Sequence, residues 1–274
     1  MKRRIHIGRN AWICLGCAVV VLGLLWHTMF RLTVTQVDLV SPKVKNPVRI
    51  VQLSDLRGAK FGRDNHVLIN QVRQCSPDCI VVTGDIYTNG DQKGRSVAYD
   101  LMRSLCEIAP VYYVSGMHDN SRVNLRRLQK AGVTVVQNRQ EFFMAGDTPV
   151  RIYGLGVRHG NPKVEIHRIF GAPATDSLNI LISHRASVDE FAQWGADLAL
   201  SSSVRRELFQ LPGLGPIYSK GKWFPYLNGE RPAYHRGLYT VEDTQVFLSD
   251  GLNKPALQRL FHPPQVVQIT VYPQ

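Results

Sequence analysis

Acidic residues are missing from the first 31 positions, which hold Lys2, Arg3, Arg4, Arg9 and Arg31. Charge of either sign is missing from the 21 residues between Asn10 and Phe30. Together these gaps localise the basic excess of the 274-residue chain, +12 from 33 Lys+Arg against 21 Asp+Glu, because 28 basic and 21 acidic residues remain beyond position 31. No recognised nucleic-acid-binding motif accompanies that remainder, so the excess does not point to nucleic acid. Low-complexity composition is also absent: 22 Gly, 15 Pro and 44% apolar residues exclude a collagen-like or disordered chain. Cysteine is scarce. Of five, Cys14 and Cys17 lie in the uncharged run, and Cys75, Cys79 and Cys106 form an odd set without Cys-x-x-Cys spacing among them. They give no disulfide framework and read as buried thiols, with a Cys75–Cys79 bond left open.

The uncharged run reaches about 31 Å as a helix, enough for a bilayer core. It ends in Trp26, His27, Met29 and Phe30 rather than the small residues of a cleavage site. Four basic residues precede it and one follows closely, which predicts a single-pass anchor in the cell membrane with the N-terminus cytoplasmic and the rest extracytoplasmic. The expected division is a basic tail over 1–9, a transmembrane anchor over 10–30, a linker over 31–47 and one domain over 48–274.

Beyond the linker, Val48 to Leu53, Asp78 to Thr83, Val111 to Ser115 and Leu178 to Ser183 are short β-branched runs suited to buried strands. Amphipathic stretches lie between them, at Asn65 to Gln74, Ser96 to Ile108 and Ser121 to Lys130. Ser187 with Glu190 three residues on predicts a capping box for a helix through Trp194. Alternating strands and helices, followed by strand-rich residues 236–272, predict an α/β domain with a second sheet.

The runs stop at chemistry. Val51-Gln-Leu-Ser ends at Asp55, Ile80-Val-Val-Thr-Gly ends at Asp85, and two further runs end at Met117-His118-Asp119 and at His184. Strand carboxyl ends in open α/β sheets converge on one crevice, so these residues form a candidate site.

In order and spacing these motifs resemble the calcineurin-like metallophosphoesterases, especially their membrane-associated bacterial branch. That family's pattern is Asp-x-His, Gly-Asp-x-x-(Asp/Asn), Gly-Asn-His-(Asp/Glu), a lone His, then Gly-His-x-His. The resemblance spans residues 48–272 and implies a four-layer α/β/β/α sandwich. It also implies two metal ions that clamp a phosphate ester and activate water. Asp55, Asp85 and His184 match metal-ligand positions, and His118 matches the catalytic acid. Four ligand positions are changed: Arg57 and Arg205 stand for histidines, Met117 for the amide and Ser203 for another histidine. A guanidinium has donors only and cannot ligate a cation, and a thioether suits hard metals poorly.

Both histidines of one metal position have become arginines, so Arg57 and Arg205 are expected to replace that ion by pairing with Asp55 and Asp85. The expected function is a membrane-anchored pseudoenzyme without metal, able to bind a phosphorylated, lipid-linked or other anionic ligand through arginine. The alternative is a phosphoesterase with one residual Mn, Fe or Zn ion. Lys220, Lys222, Trp223 and Phe224 form a candidate lipid-facing lip.

Overall fold

The computed structural model describes residues 9–156, 166–202, 208–211, 215–219, 222–223, 234, 236–253 and 263–274. Its helices are α1 (Arg9–Phe30), α2 (His66–Gln74), α3 (Gln92–Cys106), α4 (Arg122–Lys130), α5 (Ile166–Phe170) and α6 (Val188–Trp194). Its strands are β1 (Thr33–Ser41), β2 (Val48–Leu53), β3 (Cys79–Val82), β4 (Val111–Tyr113), β5 (Thr134–Val135), β6 (Arg139–Ala145), β7 (Thr148–Leu155), β8 (Leu178–Ser183), β9 (Leu198–Ser202), β10 (Leu208–Leu211), β11 (Gly215–Ser219), β12 (Lys222–Trp223), β13 (Gly237–Val241), β14 (Thr244–Ser249) and β15 (Gln265–Pro273).

Side chains alternate across each strand, so one run of apolar residues can fill two layers. In β2, Val51 turns outward and packs with Leu68 and Val72 of α2, Leu101 and Met102 of α3 and Leu128 of α4. Ile50 turns inward and joins Val81, Ile152, Ile180, Leu200 and Phe247 between the sheets. Leu181, Ala199 and Val246 face the far side, where Ile166 of α5 and Phe191 and Trp194 of α6 cover them. The result is a four-layer α/β/β/α sandwich. The first sheet runs β1-β15-β2-β3-β4-β5 and the second β13-β14-β9-β8-β7-β6, with β10-β11-β12 a separate small sheet.

Parallel pairing of β2, β3 and β4 brings their carboxyl ends to one end of the first sheet, and parallel β7, β8, β9 and β14 do the same in the second. The two sheets are tied near that end by Gln52, whose Nε2 donates to Ser201 O at 3.0 Å.

Several expectations change. Part of the segment read as linker is β1, paired in parallel with β15 from Thr33↔Gln265 to Ser41↔Pro273. α3 starts before Ser96 because Asp91 caps it, accepting from Gly94 N at 2.8 Å. Ser121 caps α4, an N-cap the sequence reading did not name, whereas Ser187 makes no capping hydrogen bond, so the expected box before α6 does not form. The segment expected to span a bilayer is helical as α1. Its longest stretch of described side chains, residues 12–25, reaches about 21 Å, and among the described residues no helix is long and apolar enough to cross a membrane. The cysteines outside α1 are free, which answers the Cys75–Cys79 question.

Candidate functional site

Past the ends of β2 and β3 the chains stay side by side. Asp55 N donates to Gly84 O at 3.0 Å, Arg57 N to Asp85 O at 3.0 Å and Gly58 N to Ile86 O at 2.9 Å. This short ladder sets Arg57 beside Asp85, and its residues bend sharply: Asp55, Arg57 and Asp85 all have positive φ, at 53°, 48° and 54°. Such conformations are unfavourable for most residues and gather where a fold fixes functional groups. Two glycines make the approach feasible. A Cβ on Gly84, itself at φ 84°, would lie 2.3 Å from Gly116 N, and one on Gly116 would lie 2.0 Å from Asp85 Oδ1.

Asp85 is the hub and is fully buried. Its Oδ1 accepts from His118 N at 3.0 Å. Around its Oδ2 stand Arg57 Nη2 at 3.7 Å, His184 Nε2 at 3.6 Å and His118 Nε2 at 3.9 Å. Arg57 Nε lies 3.7 Å from Asp55 Oδ1, so one guanidinium faces both carboxylates. Those separations are ion-pair contacts rather than hydrogen bonds. Burial lowers the Arg57 pKa, and the Asp85 charge pushes it back upward. Asp55 is held by Ser54, whose hydroxyl donates to its Oδ2 at 2.6 Å and also meets the hydroxyl of Ser202.

His184 is oriented from behind. Its Nδ1 lies 2.7 Å from Thr83 O, and a carbonyl only accepts, so Nδ1 carries the proton. In the neutral ring, Nε2 then turns its lone pair toward Asp85, the tautomer a metal-ligating histidine needs. Asp55, Asp85 and His184 each offer one ligand atom, all within 4.8 Å of one another, and form a candidate metal-binding triad. His118 belongs to the same cluster at the open mouth, beside Met117, which is 59% exposed.

A two-ion centre does not fit these residues. The space between Asp55 and Asp85, where a first ion would bind both, faces the Arg57 guanidinium. Like unit charges about 4 Å apart repel by about 4 kcal/mol at an effective dielectric near 20, and a dication doubles this. A single ion at Asp85 and His184 does fit, since two ligand atoms 3.6 Å apart match an ion about 2.1 Å from each.

Ser203 and Arg205 lie outside the described residues, as do Lys220 and Phe224 and the side chains of Lys222 and Trp223. Asp119, which ends the Met117-His118-Asp119 run but was given no role of its own in the sequence, proves structural. It is fully buried, with Oδ2 accepting from Ile86 N at 2.8 Å and Oδ1 from Gly116 N at 2.6 Å, so it clips the β3 and β4 loops together. Burial raises its pKa, against which those N–H groups act. Its place directly after His118, where the family motif carries an acid, was the available signal.

No family model matches the chain. A curated protein of Bacillus subtilis (strain 168), described as the uncharacterized metallophosphoesterase YkuE, is 27% identical over 237 residues, covering 81% of this chain and 78% of its own. Among solved structures, the phosphopantetheinyl hydrolase PptH of Mycobacterium tuberculosis is 12% identical, with a TM-score of 0.41, and the match covers 75% of this chain and 89% of that one. The sulfate thiohydrolase SoxB of Thermus thermophilus, in complex with glycerol, is 12% identical with a TM-score of 0.48, covering 76% of this chain and 52% of that one. The architecture and the converging carboxylates and imidazoles are metallophosphoesterase-like, and the Bacillus relative supports that class.

Proposed function

We propose that this chain is a metallophosphoesterase-like protein that has exchanged two-metal hydrolysis for binding of a phosphate-containing ligand. The observation that carries this reading is the single Arg57 guanidinium, 3.7 Å from carboxylate oxygens of both Asp55 and Asp85. A fixed cation there supplies the charge balance of a metal ion without a Lewis acid's open coordination positions. Arg57 and His118, both partly exposed at the mouth, offer N–H donors suited to phosphate oxygens. His118 stands where it could hold a proton toward a leaving group, but among the described residues no group beside it is placed to activate a water.

A second reading is favoured by His184, whose proton is fixed on Nδ1 and whose Nε2 faces Asp85. It is a phosphoesterase using one divalent ion. When bound, that ion would be held by Asp85 and His184, with Asp55 within reach, and would supply Lewis-acid polarisation.

One experiment separates the readings. Metal content and phosphodiester hydrolysis would be measured, with Mn supplied, for the full chain in detergent and for the variant Arg57→His, Met117→Asn, Ser203→His, Arg205→His. The full chain is used, because β1 begins at Thr33, separated from α1 by two residues, and is part of the first sheet. No stoichiometric metal and no turnover in the unmodified chain, with both in the variant, is the expected result. One metal per unmodified chain with turnover would replace the first reading by the second.

Membrane attachment through the N-terminal segment is part of the proposal, with the domain extracytoplasmic. Its support is the uncharged run 10–30 flanked by Arg9 and Arg31. Retention of the full chain in the membrane fraction after carbonate washing, and its release when residues 1–30 are removed, would test it.

A further inference from the structure

The topology fixes where α1 meets the sandwich. β15 is antiparallel to β2, and β1 is parallel to β15, so β1 begins at the end where β2 stops. Thr33 is in register with Gln265, and Gln265 N donates to Gly251 O at 3.1 Å. Gly251 in turn lies against Asp55, where an added Cβ would sit 2.8 Å from the Asp55 Cβ. Two strand spacings, about 10 Å, separate β1 from β2. The chain therefore enters the domain at the mouth of the site. Only Arg31 and Leu32 separate α1 from β1, a reach of about 10 Å at full extension.

α1 needs cover on all sides. Val19, Val20, Val21 and Leu22 are consecutive, and each is more than half exposed. At about 100° per residue they occupy the whole helix circumference, which acyl chains can surround and a single protein face cannot. Charge at the entry end matches a lipid surface. At the loop end of the first sheet Arg31, Lys60 and Arg63, with Lys93 and Arg122 in the first turns of α3 and α4, are exposed against Asp64 and Asp91. Among the described residues on the second sheet's side, exposed Arg185 and Arg236 stand against exposed Asp189, half-exposed Glu190 and the Asp250 that pairs with Arg236, so the first sheet's end is the more basic.

We propose that the loop end carrying Asp55, Arg57, Asp85 and His118 docks on an anionic lipid surface, so that the site opens toward the headgroups. This rests on the membrane attachment proposed above and is independent of whether the site hydrolyses its ligand. Basic groups are drawn to an anionic leaflet, which favours docking by this end.

The test uses the full chain with Cys14→Ala and Cys17→Ala, carrying a fluorophore at Lys60→Cys or, on the β6–β7 turn at the opposite end, at Asp147→Cys. Each is placed in vesicles of phosphatidylcholine and phosphatidylglycerol containing nitroxide-headgroup lipid. Several-fold stronger quenching at position 60 than at 147 is expected, with the difference shrinking when Lys60 is labelled in the background Arg63→Glu, Arg122→Glu. Equal quenching, or stronger quenching at 147, in chains that float with the vesicles would overturn the docking orientation alone. Chains that fail to float, or that self-associate instead, would overturn the membrane attachment and the orientation with it.

Discussion

The two halves of the site are built from different materials around one shared carboxylate. On one side, Asp55 and Arg57 come from a single β2 loop, and their charges meet over 3.7 Å. On the other, Asp85 and His184 come from different sheets, and His184 is fixed from behind by the Thr83 carbonyl. The first half carries its cation covalently; the second keeps a histidine poised for an external one. On the reading proposed above, one metal position exchanges its ion for a guanidinium while its neighbour keeps the hydrogen bond that orients His184, because that support comes from backbone.

Asp85 is common to both halves, so removing it should have the largest effect. Asp85→Ala leaves Arg57 half-buried beside fewer acids and is expected to lower stability by about 3–5 kcal/mol in urea unfolding. A loss below about 1 kcal/mol would mean the two halves are independent. Gly116→Ala acts on the same hub by crowding Asp85 Oδ1 and should cost about 1–3 kcal/mol by the same measurement. Asp119→Asn offers one acceptor where two N–H groups now donate, and a loss of about 1–2 kcal/mol is expected.

Histidine variants sharpen the contrast further. If Mn binding is detectable by calorimetry, His184→Gln should weaken it roughly tenfold or more, whereas His118→Gln should leave it nearly unchanged. Equal losses would erase the distinction between the halves. Away from the site, Ser121→Ala should cost about 1 kcal/mol, since Ser121 accepts from Asn124 N at 3.3 Å, and Ser187→Ala should stay within about 0.5 kcal/mol.

Much of the sheet scaffold was legible because its signals are local. β2 and β8 coincide with the β-branched runs Val48 to Leu53 and Leu178 to Ser183, and the acids and histidines that end such runs meet in space. β1 was not read as a strand, although Thr33 to Val40 mostly alternates polar and apolar, because its partner lies more than 200 residues away. The β6–β7 hairpin was also passed over; Arg139, Gln140 and Glu141 give β6 an exposed, polar start. The meeting of Arg57 with both aspartates was expected from motif positions. Its cause, the loop ladder with three positive φ angles, depends on hydrogen bonds between distant strands and has no local signature.

The pairing of β1 with β15 also has a temporal side. Thr33 donates through its hydroxyl to Pro264 O at 3.1 Å, 231 positions later, and β2 draws its other neighbour from β15 too. Contacts this far apart in sequence form late, because the loop-closure entropy must be met first. During synthesis both early strands must therefore wait with bare backbone edges until residues 265–273 emerge. During that interval the bare edges are open to pairing with other chains, and one late strand closes both.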